Sequence, residues 1–359
     1  MSAVPAPDGG PDAGAVWHYG DPLGEQRAAA LSAVIVDRSH RATLQLTGDE
    51  RQSWLHSISS QHVSELPDGA VVENLNLDGQ GRVEDHWLQT QLDGVTIIDT
   101  EPWRGEPLLA FLRKMVFWAK VVVEPADLAV LSLLGPSVGD QAVLAALGVD
   151  SLPATSTAVP LPGGGFIRTV GPDEVDLVVP RAAAADWRAK LVAAGVRPAG
   201  IWAYEAHRVA ALQPRLALDT DERTIPHEVG WIGGPGEGAV HLDKGCYRGQ
   251  ETVARVHNLG KPPRMLVLLH LDGDSERPNV GDPVLAAGRA VGRLGTVVDH
   301  VDLGPIALAL VKRGLPADIE LTTGGDSAVA AAIDPDSLPA TDHVGAGRLA
   351  VERLRGQPR

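Results

Sequence analysis

A single cysteine stands among 359 residues, with three tyrosines, three phenylalanines and three methionines. One thiol excludes an internal disulfide, and also an iron–sulfur cluster held by cysteines alone, which takes four thiolates. No apolar run approaches the roughly 18 residues that a membrane helix needs, and the N-terminus lacks the basic-then-apolar pattern of a signal peptide. Cations are scarce beside anions: 31 Lys and Arg against 46 Asp and Glu give a formal charge of -15. Such a balance argues against nonspecific grip on nucleic acid or on an anionic membrane. There is no phosphate-loop motif with its lysine and no dinucleotide fingerprint, since Gly135 and Gly139 and the glycines of 163–166 and 233–238 lack the spacing. These absences leave a soluble cytoplasmic protein as the expectation, with a core large enough for two or three domains.

The stretch that is present and unusual is KGCYRGQE, residues 244–251, which holds Cys246. Lys244 and Arg248 lie two residues to either side, and nearby positive charge favours the thiolate, the reactive form. Gly245 and Gly249 permit backbone angles closed to other residues. The run that follows reads as a helix opening, with Glu251 in its first turn and Val253 and Val256 sharing a face. An extended stretch would instead put Lys244, Cys246, Arg248 and Gln250 on one side. The bland reading is that cysteine acts as a small buried hydrophobe without chemistry.

Residues 1–15, rich in Pro, Gly, Asp and Ala, are expected to form a mobile tail. Strands are predicted near Ala33 to Val36 and Ala42 to Leu46, then a helix from about Asp49 with Trp54 and Ile58 on one face. Alternating residues and Asp-Gly and Gln-Gly turns over 69–100 describe an antiparallel meander. Residues 103–120 predict an amphipathic helix with Leu109, Leu112 and Val116 in its stripe and Arg113, Lys114 and Lys120 elsewhere. The units over 129–196 alternate strand and helix with antiparallel returns, which suggests an α+β sandwich of the ferredoxin-like kind. From Pro262 and Pro263 onward, short strands broken by Gly and Pro predict a small antiparallel barrel. His40 ends a strand, where a structural hydrogen bond competes with a role as base beside Asp37. His227, His241 and His257 fit no short ligand pattern, so no metal site is expected.

KGCYRGQE, the following ETVARVHNLG and Arg264 of PPRMLV resemble the signature of the YgfZ family, folate-binding proteins linked to iron–sulfur cluster maintenance. That family is a branch of the aminomethyltransferase (glycine-cleavage T-protein) superfamily. The resemblance implies a ferredoxin-like folate-binding body over 16–261, a C-terminal antiparallel β-barrel over 262–334 that closes over the folate pocket, and a linker and tail over 335–359. GRVEDH, 81–86, falls where the transferring enzymes carry two adjacent aspartates; here Asp85 is followed by His86. Arg208, Asp219, Asp221, Thr224, Pro226 and Glu228 match the segment that contacts the pterin. Ala210 stands where that segment has a glutamate, and Glu205, three residues before Arg208, is the candidate to replace it. A carboxylate suits a pterin because it accepts two hydrogen bonds from the amino-pyrimidine edge. Trp202, Tyr204 or Trp231 could stack on it.

By this resemblance the reactive group is Cys246, assisted by Lys244 and Arg248. The residues facing the cofactor, tetrahydrofolate or a derivative, are Arg208, Glu228, Glu205, Trp202, Tyr204, Asp85, Tyr247 and Gln250. The implied role is support of iron–sulfur assembly or repair, and of tRNA modification through iron–sulfur enzymes, with iron–sulfur proteins or assembly factors as transient partners. Two alternatives are an aminomethyltransferase moving a one-carbon unit to tetrahydrofolate and a non-catalytic protein-interaction module. Neither direct nucleic-acid binding nor membrane attachment is expected.

Overall fold

The computed structural model describes residues 2–325 and 328–338. Two sheets and a barrel carry the chain. The first sheet has six strands in the order Thr157–Pro160, Phe166–Gly171, Glu174–Pro180, Leu128–Leu134, Val34–Asp37, Arg197–Ala199. Its centre, LAVLSLL, is apolar at almost every position, the pattern of a strand covered on both faces. Ala129, Leu131 and Leu133 pack toward the helices Gln141–Leu147 and Ala184–Ala193, through Val143, Leu147, Trp187 and Leu191. Val130, one residue out of phase, packs instead with Val71 and Leu92 of the second sheet.

The second sheet runs Val71–Leu77, Val83–Leu92, Val95–Thr100, Ala42–Thr47, Val122–Pro125. Helices Arg51–Ile58 and Gly105–Met115 cover its far side, burying Trp54, Leu55, Leu108 and Leu112 against Leu44, Leu46 and Ile98. The inner faces of the two sheets therefore look at each other with helices outside, an α+β sandwich as the sequence predicts. Six strands between Arg264 and Ile333 close an antiparallel barrel. Met265, Val267 and Leu269 point inward with Leu294, Ala307, Ala309 and Val311. Leu268, Val298, Ile306 and Leu308 point outward and pack on Ala206 and Val209 of the helix Ile201–Ala210. No helix among the described residues is long and apolar enough to cross a membrane.

Several expectations are corrected. The helix predicted over 103–120 ends at Met115, because Phe117 adopts a left-handed φ of 45°, which stops the helical run. Arg197–Ala199, which sequence reasoning passed over, adds to Val34–Asp37 in parallel. The mobile tail expected over 1–15 is docked through its described residues. Val4–Pro5 pairs with Val16–His18, Ala6 and Ala15 are buried, and Asp12 is 5 % exposed. The physical reason is charge. Asp12 accepts from Arg215 at 2.9 and 3.1 Å and meets His40 Nε2 at 2.9 Å, so a composition that favours disorder is overruled by an ion pair. His40 thereby takes the structural role. Of the linker and tail expected over 335–359, Pro335–Ser337 forms a 3-10 turn and Leu338 packs on the barrel core, while residues 339–359 lie outside the described residues.

Burial pushes the Asp12 carboxyl up, but His40 and Arg215 hold it well below the usual carboxylate range. A carboxylate depressed in the fold adds stability above its unfolded pKa that is lost as pH falls. Asp12→Ala should lower stability at neutral pH by about 2 kcal/mol, in the range of hydrogen bonds to charged groups, and the deficit should shrink on acidification. Chemical denaturation at two pH values measures both; an unchanged midpoint would mean that this segment is not held by its carboxylate.

Candidate functional site

Between the two sheets lies a cavity of about 380 Å³, within the range of small-molecule sites. The second sheet contributes Val71, Glu73, His86, Leu88 and Asp99, and the first contributes Arg168, Thr169, Glu174 and Asp176. Tyr204 and Arg208 of the helix Ile201–Ala210 close one side, and Trp231 and its loop close another.

Charged residues reach this interior because strand alternation sends them inward where apolar neighbours go outward. Arg168 is fully buried and bridges the sheets, 2.7 Å from Asp99 and 2.8 Å from Asp176. Burial raises the cost of charge at Asp99, yet Arg168 and Arg41 hold its carboxyl low, at about 2. Arg215 joins Glu101 at 2.7 Å, Glu205 at 3.0 Å and Asp12. Arg208, 2 % exposed, is saturated by Glu205, Asp219, Thr296 and the Gln213 carbonyl.

One carboxyl differs from the rest. Glu174 accepts from the Tyr204 hydroxyl at 3.0 Å and lies 3.6 Å from Arg38, which stacks 3.8 Å over the Tyr204 ring. Burial, reinforced by the neighbouring Asp176, pushes Glu174 up to about 7. The cavity thus holds a carboxyl raised toward neutrality by its burial.

The residues expected to hold a cofactor divide into several groups. Tyr204 and Arg208 line the cavity, although Arg208 has its donors engaged. Glu205 sits behind the wall, its oxygens taken by Arg208 and Arg215, so it does not stand in for the missing glutamate at Ala210. Glu228 is not on the cavity. It is 3 % exposed and bound to Arg264 at 2.7 and 2.9 Å and to the Ile225 N–H at 3.1 Å. Trp202 turns toward the N-terminal strand, 5.5 Å from Trp17. Asp85 faces a different groove, bound to Arg104 at 2.6 and 2.8 Å and to Asn76 at 3.0 Å. The alternation that sends Asp85 away brings His86 to the cavity, where its ring stacks on Trp231 with centroids 4.4 Å apart.

Cys246 is exposed, as a reactive thiol must be, but it is not among the residues lining the cavity. The two cations expected beside it are committed elsewhere. Lys244 is 5 % exposed and donates to the carbonyls of His56 and Ser59 at 2.5 Å and of Gln61 at 3.1 Å. Burial pushes its ammonium down to about 8. Arg248 pairs with Glu84 at 2.8 Å. A buried ammonium must find acceptors, and these three carbonyls are what anchor the loop. Gly249, with φ of 84°, lies so near the turn at 78–81 that a Cβ would meet the Asp78 carbonyl at 2.6 Å. Gln250 donates to the Lys244 carbonyl at 3.3 Å and begins the helix Gln250–Leu259. Tyr247 is buried in the same apolar cluster as Trp231, so the cysteine loop and the cavity wall share a core. Of the three histidines, His227 and His257 approach with centroids 6.2 Å apart, while His241 neighbours His62.

Sequence reasoning missed Glu73, Asp99, Arg168, Glu174 and Asp176. Arg168 and Asp176 interrupt apolar strands, FIRTV and EVDLVV, and a charge in a strand buried on both faces was the available signal.

No family model matches the chain. It is 25 % identical over 312 residues to the tRNA-modifying protein YgfZ of Vibrio atlanticus, covering 84 % of this chain and 91 % of that one. It is 26 % identical over 258 residues to an aminomethyltransferase of Stenotrophomonas maltophilia, covering 67 % of this chain and 70 % of the other. Among solved structures, the glycine cleavage system aminomethyltransferase T of Bartonella henselae superposes with a TM-score of 0.80 at 19 % identity, over 92 % of this chain and 93 % of that one, which shows the fold.

A carboxyl whose pKa is raised by folding keeps its proton while the unfolded chain has lost it, so its contribution to stability declines as pH climbs from 4.5 toward about 7. Glutamine imitates the neutral acid. Glu174→Gln should therefore melt above the wild type at about pH 8, with the gap closing toward about pH 5. Melting curves that stay parallel across this range would show that Glu174 is already ionised in the fold.

Proposed function

We propose that this chain, a relative of the YgfZ proteins within the aminomethyltransferase superfamily, binds tetrahydrofolate or a derivative in the cavity between its two sheets. We propose further that it acts in the cytoplasm to sustain iron–sulfur enzymes, and through them tRNA modification, with Cys246 as its reactive group. The observation that carries the reading is the make-up of the cavity wall. Trp231 and Tyr204, with His86 and Arg38 stacked on their rings, are its aromatic residues, Val71, Leu88 and Val170 form an apolar side, and Glu73 and Glu174 place carboxyls beside them. A reduced pteridine is flat and carries several N–H donors on one edge, and a wall with carboxyl acceptors beside aromatic faces suits it. Residues that would hold it are Glu174, Glu73, Tyr204 and Trp231. When bound, the folate would supply a carrier for a one-carbon unit.

Cys246 belongs to this reading through Tyr247. That side chain packs in the cluster that contains Trp231, so the loop that presents the thiol and the cavity wall share one core. Iron–sulfur proteins or their assembly factors are the transient partners of this surface.

Aminomethyl transfer to tetrahydrofolate is the second reading, favoured by the similarity to an aminomethyltransferase over 67 % of this chain. Against it, Asp85 turns to Arg104 instead of the cavity, and no unpaired aspartate remains among the described cavity residues to orient an attacking folate.

Calorimetric titration with tetrahydrofolate should give saturable binding, weakened about tenfold or more in Trp231→Ala, which removes the ring that holds His86 at the cavity wall. Absence of binding would remove folate from the reading. In cells deprived of their native YgfZ protein, the wild type should restore the activity of an iron–sulfur enzyme and Cys246→Ser should not; equal rescue would remove the thiol. Formation of methylene-tetrahydrofolate from an aminomethyl donor would decide for the second reading.

A further inference from the structure

His86 enters the cavity in a setting that its neighbours define. Its Nε2 lies 3.1 Å from Glu73 Oε2. Leu75 is its direct partner on the adjacent strand, so Glu73 is a diagonal neighbour, within reach of a long side chain. Trp231, 5 % exposed, stacks on the ring with an interplanar angle of 17° and fixes its plane. Thr100 donates to the His86 carbonyl at 2.7 Å and fixes the backbone. The surroundings of Glu73 raise the cost of its charge, but the hydrogen bond from His86 holds its carboxyl below the usual range. An ionised carboxylate accepts and does not donate, so Nε2 carries a proton, and in the neutral ring the Nδ1 lone pair is left over.

Apart from Glu237 on the loop after Trp231, the other charged groups of the wall are met by one another or by neighbouring side chains. Arg168 binds Asp99 and Asp176, Arg215 and Arg41 bind Glu101, and Glu174 is met by Tyr204 and Arg38. Among the described residues, His86 Nδ1 has no hydrogen-bond partner. A histidine held by a carboxylate at one nitrogen and open at the other is the arrangement of an acceptor awaiting a donor.

We propose that Glu73 and His86 form a hydrogen-bond-accepting pair that engages an N–H of the molecule bound in the cavity. This rests on the folate reading, in which the donor is a ring N–H of the reduced pteridine. The ligand N–H donates to Nδ1. The N–H bond of the ligand stays intact, and the hydrogen bond turns the edge of the bound molecule toward the pair, with the Glu73 carboxylate at Nε2 strengthening Nδ1 as an acceptor.

His86→Phe keeps an aromatic ring against Trp231 and removes the acceptor. Calorimetry with tetrahydrofolate should show binding about tenfold weaker in this variant, the equivalent of one hydrogen bond to a strong acceptor. Nitrogen NMR on histidine-labelled wild type supplies a readout that a merely structural role would not move. The Nδ1 signal of His86, identified by its loss in the variant, should shift toward the protonated position on saturation with tetrahydrofolate. Should His86→Phe fail to fold, His86→Leu, which also lacks an acceptor, serves both arms. If the wild type binds no tetrahydrofolate, the folate reading falls and this pair falls with it. If the wild type binds but the variant binds equally well, or the Nδ1 signal stays in place, the hydrogen-bond-accepting role alone is overturned.

Discussion

An arginine removed from water must meet carboxylates, and the interior of this protein is arranged around that demand. Arg168, Arg208 and Arg215 are each buried or nearly so, and each reaches at least two acids. Arg168 ties one sheet to the other. Arg208 fastens its own helix to Asp219 and to Thr296 of the barrel, and Arg215 gathers Glu101, Glu205 and Asp12. Such pairs add little net stability over apolar packing of the same shape, but losing one partner leaves a buried charge uncompensated. Their effect is to fix which segments meet, and where. The cavity is the space that these pairs hold open: apolar sheet faces alone would close on each other.

The architecture was legible where periodicity was strong. The strands near 34 and 42, the meander, the hairpin ending in EVDLVVP and the barrel follow alternation and turn chemistry, and the structure has them. What escaped notice depended on contacts distant in sequence. Nothing in MSAVPAPDGGPDAGA reveals that Asp12 will meet an arginine some two hundred positions later. Arg197–Ala199 is too short to show a period, and it forms because Val34–Asp37 offers an open edge.

The site was legible in part for the same reason. Motif residues locate a region, and pairing decides which of them are free. Arg208 and Glu228 were expected to meet a ligand, yet one is saturated by Glu205 and Asp219 and the other by Arg264. Asp85 drew attention as the survivor of a pair, but strand alternation gives the cavity to His86. The residues that flank the cysteine hold its loop. Lys244 plugs it into three carbonyls, Arg248 clamps it to Glu84, and Gly249 lets it lie against a turn, which leaves Cys246 outside with its flanking cations engaged elsewhere.

The barrel has two apolar surfaces. One fills its own interior, and the other, Leu268, Val298, Ile306 and Leu308, rests on Ala206 and Val209. The proline pair at 262–263 marks a seam in the covalent chain that is no seam in the oil. A half cut free there would carry an unprotected apolar flank, the kind of surface that drives self-association, so each part keeps the other in solution.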